Sequence, residues 1–171
     1  MKTFNELLRP VAEPFFGKSG ELEDADCILF GAPLDKTASY RGGSRFAPSA
    51  IREASQYMES YSVRTGFDWE DLKLVDIGDV IEVSEVELAV GNIQRVAGEI
   101  KAMGKFPVML GGEHTVTLGA LRALKPSAVV VFDVCDSTLQ VFQDSRHSRF
   151  EAEAAVHEIH LFQKRRDLIV E

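Results

Sequence analysis

Four short apolar runs recur along the chain: Cys27-Ile28-Leu29-Phe30, Leu72-Lys73-Leu74-Val75, Pro107-Val108-Met109-Leu110 and Ala128-Val129-Val130-Val131-Phe132. Between them lie longer stretches in which apolar residues return every three or four positions. A run of strand length followed by an amphipathic stretch of helix length marks a strand-crossover-strand unit, so the pattern predicts an α/β fold with a central parallel sheet. One helix is expected to open at Ser84, with Glu87 at capping-box spacing. It carries Ala89, Ile93, Val96, Ala97, Ile100 and Met103 on one face and ends at Gly104. A second is expected to begin at Pro48, which suits a first helical turn, and to run through Ile51, Ala54 and Met58 toward Tyr61. A third spans about Thr115 to Leu124, where Lys125-Pro126 stops it.

Further on, Ala152, Ala155, Val156, Ile159 and Phe162 form an apolar stripe that ends in Lys164-Arg165-Arg166, basic residues suited to a helix C-terminus. Leu168-Ile169-Val170 then reads as the next parallel strand, and no crossover follows it. The chain is therefore expected to be cut off in mid-architecture, with the C-terminal part of the fold missing. Without repeats or a Pro/Gly/Ser-rich linker, residues 1–171 are expected to form a single, partial domain.

Composition narrows the partners. The chain has 171 residues, 45% of them hydrophobic, which suffices for one sizeable core. Lys+Arg number 19 against Asp+Glu 27, a formal net charge of -8. That balance argues against nucleic acid or an anionic membrane as partner, since both demand clustered cations, and it suits cationic or neutral substrates. No apolar run approaches the roughly 20 residues that span a bilayer, and the first residues lack a signal-peptide pattern, so a cytoplasmic protein is expected. Cys27 and Cys135 form neither a disulfide framework nor a paired-cysteine zinc spacing and read as reduced thiols.

Open parallel sheets bind ligands beyond the carboxyl ends of their strands. The residues there are Gly31-Ala32-Pro33-Leu34-Asp35, Asp76-Ile77-Gly78-Asp79, Gly111-Gly112-Glu113-His114 and Asp133-Val134-Cys135-Asp136. An imidazole and carboxylates converging from neighbouring ends suit a divalent metal, Mn, Fe or Zn better than Ca. The same residues also admit a structural reading, in which Gly111-Gly112 is a tight turn and His114 and Asp133 cap helices or bond backbone amides. The basic loop from Tyr40 to Arg52 could contact an anion or a substrate carboxylate. The favoured expectation is that Arg41 and Arg45 pair with acidic loops and brace the wall of the site. Asp76 and Asp79 read as loop and cap residues around Gly78. A Gly-x-Gly-x-x-Gly turn is absent after the first run, which excludes a dinucleotide-binding domain of that type.

Four segments together carry a family resemblance: Ala38-Ser39-Tyr40-Arg41-Gly42-Gly43-Ser44-Arg45-Phe46-Ala47-Pro48-Ser49-Ala50-Ile51-Arg52, Val75-Asp76-Ile77-Gly78-Asp79, Leu110-Gly111-Gly112-Glu113-His114-Thr115-Val116-Thr117 and Val131-Phe132-Asp133. In order and spacing they resemble the arginase/agmatinase (ureohydrolase) family over most of residues 25 to 133. The resemblance implies a three-layer α/β/α fold with a central parallel sheet. It further implies a binuclear manganese centre that turns a bridging water into a hydroxide, which attacks the carbon of a guanidinium group. The expected substrate is a small cationic guanidino compound such as agmatine, a linear amidine split into an amine and urea, and the expected assembly is a homo-oligomer.

Carried over position by position, His114 matches the family's first metal-binding histidine and Asp133 the leading aspartate of its Asp-Ala-His-x-Asp motif. Cys135 stands where the motif has its histidine and Ser137 where it has its final aspartate, while Asp136, one residue early, would serve as a ligand in a shortened loop. A thiolate is softer than imidazole, so Cys135 as a ligand would favour Zn or Fe over Mn. Cys135 also reads as a small half-buried residue without a role. The family's downstream proton-transfer histidine falls at Arg149, and His147, two residues earlier, takes that role if the loop is shorter. His157 and His160 lie three apart on the last helix and are expected to face solvent. The family's Ser-x-Asp-x-Asp-x-x-Asp-Pro motif, which completes the binuclear site, does not occur in these residues. The resemblance thus implies an impaired amidine hydrolase or, alternatively, an inactive relic or interaction subunit of the same fold.

Overall fold

The computed structural model describes residues 4–38, 41–125, 128–133, 138–143 and 168–170. In chain order its elements are β1 (Leu8–Arg9), β2 (Cys27–Ala32), α1 (Ala47–Ser55), β3 (Tyr61–Ser62), β4 (Phe67–Asp68), β5 (Leu74–Val80), α2 (Val86–Ala102), β6 (Phe106–Gly111), α3 (Thr115–Leu124), β7 (Ala128–Asp133), β8 (Thr138–Gln143) and β9 (Leu168–Val170). The main sheet runs β1-β5-β2-β6-β9-β7-β8. Its interior pairs, β5 with β2, β2 with β6, β6 with β9 and β9 with β7, are all parallel. The two edges depart from the all-parallel expectation, since β1 runs antiparallel to β5 and β8 antiparallel to β7.

Helices cover both faces of the sheet. Along β2, Ile28, Phe30 and Ala32 point to the face where α2 and α3 supply Ala89, Ile93, Val96, Ala97, Ile100, Val116 and Ala120. Leu29 points the other way and packs with Leu74, Leu110 and Ile51 of α1. That two-residue alternation, buried on both sides, explains why the runs are apolar throughout. It also yields the three-layer α/β/α arrangement that the family resemblance implies. Gly119 lets α3 settle against α2, because a Cβ there would press on Ile93.

The elements differ from expectation in their ends. The helix after Ser84 begins at Val86 behind Glu85, whose side chain makes no cap, so the expected capping box is absent. The stripe from Ala89 to Ile100 is buried, but Met103 follows the last helical turn and is exposed before Gly104 closes the helix at φ 73°. The Pro48 helix stops at Ser55 rather than continuing toward Tyr61. There the Ser55 hydroxyl donates to the Arg52 carbonyl at 2.6 Å and accepts from Phe16 N–H at 2.9 Å, which ties off the final turn. Met58 and Tyr61 are exposed, and Tyr61-Ser62 instead pairs with Phe67-Asp68 in a small hairpin that turns through Gly66 at φ 66°. The helix at Thr115–Leu124 and the strand at Leu168–Val170 fall where the sequence puts them. The stripe from Ala152 to Phe162 lies outside the described residues. No helix among the described residues is long and apolar enough to cross a membrane.

Candidate active site

The interior strands are parallel, so the carboxyl ends of β2, β5, β6, β9 and β7 share one edge of the sheet. At the end of β6, Gly112 passes so close to the backbone of Leu34 that no Cβ could be accommodated, and Glu113 N–H donates to the Leu34 carbonyl at 2.9 Å. The Glu113 carboxylate turns toward the loop after β2. It accepts from Thr37 N–H at 2.9 and 3.0 Å and from Thr37 Oγ1 at 2.6 Å. Thr37 Oγ1 also lies 2.8 Å from Thr115 Oγ1. A hydroxyl has one proton, and that of Thr37 goes to the carboxylate, so Thr115 is the donor in the second contact. His114 stands between these anchored neighbours, at the start of α3, and is exposed.

Asp133 ends β7 on the same edge. Register links the two positions: Leu110 pairs with Val170 and Val170 with Phe132, so Gly111 and Asp133 stand level with β9 between them. Two strand spacings separate them, roughly 10 Å. The structure thus brings the backbone positions of His114 and Asp133 to one edge. Cys135, Asp136 and His147, with Ser137, Arg149, His157 and His160, lie outside the described residues. By donor type an imidazole and a carboxylate fit a divalent cation. In number they are short of a two-metal set, for among the described residues no three His, Cys, Asp or Glu side chains group together.

The loop after β2 forms the neighbouring wall, as expected for Arg45. Asp35 accepts from Gly43 N–H at 2.7 Å and pairs with Arg45 at 3.0 Å. The Gly43 amide, with help from Arg45, holds the Asp35 carboxyl below its usual range despite partial desolvation. Arg45 also lies 4.6 Å from the centre of the Phe46 ring.

Asp76 and Asp79 correct the sequence reading. They are buried in strand β5, not loop or cap residues, and both bind Arg52 of α1. Arg52 donates from Nε and NH2 to the two oxygens of Asp76 at 2.7 and 2.9 Å and from NH1 to Asp79 at 2.6 Å. Burial alone would lower the Arg52 pKa, but the bonds and charges of Asp76, then Asp79, outweigh it and raise it. Side chains alternate along a strand, so positions 76 and 79 should face opposite ways. Gly78, at φ 89°, and a register shift between Leu29 and Gly31 turn Asp79 back to the Arg52 side. Gly31 leaves the space that the Asp79 carboxylate fills. Sequence reasoning missed this triad, and also the roles of Thr37 and Glu113. The signal was Arg52 itself, a charged residue in phase with Pro48 and Ser55 on the buried side of α1.

Residues 25–148 match the model of the arginase family. This chain belongs to the arginase family. Among relatives, this arginase-family chain is 37% identical over 131 residues to the N(1)-aminopropylagmatine ureohydrolase of Thermococcus kodakarensis, an alignment covering 75% of the chain and 46% of the relative. Its fold matches the crystal structure of the agmatine ureohydrolase of Thermoplasma volcanium with a TM-score of 0.66 at 38% identity, covering 72% of the chain and 42% of the other. It also matches the Trypanosoma cruzi formiminoglutamase crystallised with Mn2+, with a TM-score of 0.55 at 26% identity, covering 74% and 49%. The chain spans about half the length of the curated relatives it matches.

Proposed function

We propose that this chain carries part of an agmatinase-like site that hydrolyses a small cationic guanidino compound, a linear amidine, to an amine and urea. The observation that carries the reading is the exposed His114 at the end of β6, on the sheet edge that Asp133 also reaches. The names of its relatives support the substrate class, since they are ureohydrolases of agmatine and of an aminopropylated agmatine. The Mn2+ in the formiminoglutamase crystal supports manganese for a centre built on His114 and Asp133, whereas a centre that also takes the Cys135 thiolate favours Zn or Fe.

In this reading His114 and Asp133 are ligands, Cys135 and Asp136 extend the set, and His147 moves the proton. These ligands would hold the metal, which when bound would supply the acidity that yields a hydroxide from water at neutral pH. The chain's own part is to hold an imidazole and carboxylates at one edge, where carboxylate charge balances the cations and favours a cationic substrate. Turnover is weak, because Cys135 and Ser137 stand where the family motif has a histidine and an aspartate. A homo-oligomer in the cytoplasm completes the proposal.

The test is metal content by mass spectrometry after manganese loading, on wild type and His114→Ala, together with urea release from agmatine. Bound metal that is lost in the variant, with urea formed by the wild type, supports the proposal. Metal without urea reduces the chain to a binding or interaction subunit, and no metal defeats the site assignment.

A further inference from the structure

We propose that Glu113 is a positioning residue, whose carboxylate clasps the loop after β2 through Thr37 and thereby fixes the turn that presents His114. The metal role of His114 rests on the function proposed above, whereas the clasp stands on geometry alone.

The turn is held from two sides. On one, Gly112 packs on Leu34 and Glu113 N–H bonds its carbonyl. On the other, the Glu113 carboxylate receives both the amide and the hydroxyl of Thr37. Thr37 Oγ1 then accepts from Thr115, the first residue of α3. Residues 113 and 115 are therefore both tied to Thr37, while the imidazole between them is exposed. A residue whose backbone is clamped on either side has little backbone freedom left to lose when its side chain takes a ligand. A carboxylate merely solvating the surface would not collect three donor contacts from one residue 76 positions away. Its charge-assisted bonds are of the strong kind. Groups that bond a metal ligand directly are worth about 10- to 100-fold in metal affinity, and a clasp one bond further out belongs at the lower end of that range.

The test compares wild type, Glu113→Ala, Glu113→Gln and Thr37→Val, with Ile100→Val as a core control of global stability. Amide hydrogen exchange, the 1H–15N resonances of the His114 ring and manganese affinity by calorimetry are measured. In Glu113→Ala, exchange at residues 112–115 should quicken about tenfold or more while α2 is unchanged. The His114 resonances should broaden, and manganese affinity should fall about tenfold. Glu113→Gln keeps an oxygen acceptor and should restore most of each, Thr37→Val should fall between, and Ile100→Val should change stability without any of these effects. Unchanged exchange in Glu113→Ala overturns the clasp, and quicker exchange with unchanged affinity and sharp His114 resonances overturns its positioning role. A wild type that binds no manganese defeats the metal reading separately. The clasp is then decided by exchange and the His114 resonances, supported if both respond to Glu113→Ala and overturned if neither does.

Discussion

Arg52 meets Asp76 in a two-pronged pair, with Nε and NH2 each on a separate carboxylate oxygen at 2.7 and 2.9 Å. Asp76 also accepts from Phe15 N–H at 2.8 Å and Gly78 N–H at 3.0 Å, so its lone pairs are used in full. The pair joins α1, β5 and the segment before β2, which is how the basic loop comes to lie against the sheet. Replacing Arg52 with Ala leaves the buried Asp76 without its ion-pair partner and Asp79 with only the half-exposed Arg9 at 3.7 Å, and should cost about 3–5 kcal/mol, read by urea unfolding. Arg52→Lys should recover only a minor part, because an ammonium cannot bridge both oxygens of Asp76 while also reaching Asp79. An Arg52→Ala protein as stable as wild type would remove the triad from any account of the fold.

Gly112→Ala should be disruptive out of proportion to one methyl group. The added Cβ meets the Leu34 backbone, which cannot rotate away as a side chain could. We expect a loss of about 1–3 kcal/mol with chemical shift changes centred on residues 34–37 and 112–115. Gly91→Ala, inside α2 where a Cβ meets nothing within 4 Å, should by contrast be neutral or mildly stabilising. Equal effects from the two substitutions would contradict the close approach.

Asp35 gives the loop after β2 a defined acid response. Its folded pKa lies below the usual 3.8, so its ionised form is favoured by folding. The sign follows: this contribution is complete above the usual value and disappears as pH falls through the lower, folded value. Asp35→Asn, which mimics the loss of charge, should therefore melt at a lower temperature than wild type at neutral pH. The gap should narrow below about pH 4. Melting curves from pH 7 down to acid check this, and a gap that widens on acidification would reverse the assignment.

Cys27 should be a slow thiol. It is half-buried in β2, and burial, then the charge of Asp26, raises its pKa above the usual 9.0. At pH 8 its alkylation by iodoacetamide, followed by peptide mass mapping, should lag behind a free cysteine by more than its thiolate fraction alone would give, since the strand also limits access. Labelling as fast as free cysteine would mean that β2 is open to solvent at its start.

The Leu168-Ile169-Val170 run shows how far an apolar pattern reaches. Read alone it is a parallel strand, and it is one, seated between β6 and β7. The same holds for β2, β6 and the helix from Thr115 to Leu124, whose patterns are decided by two-sided burial or by a strong helical stripe, and the Ala128–Asp133 run likewise pairs as a strand. The apolar runs also placed His114 and Asp133 just beyond strand ends, because a ligand edge in a parallel sheet follows from strand direction alone. What a one-dimensional pattern could not contain is which distant polar groups share a face. Asp79 faces Arg52 only because Gly78 and a register shift break the alternation of β5. Glu113 bonds Thr37 only because β2 and β6 are adjacent strands, with Ala32 level with Gly111, although 76 residues separate the partners in sequence. Hydrophobic periodicity is a local property and was legible in the chain. Pairing of buried or clasped charges is set by strand order and register, which tertiary structure alone decides.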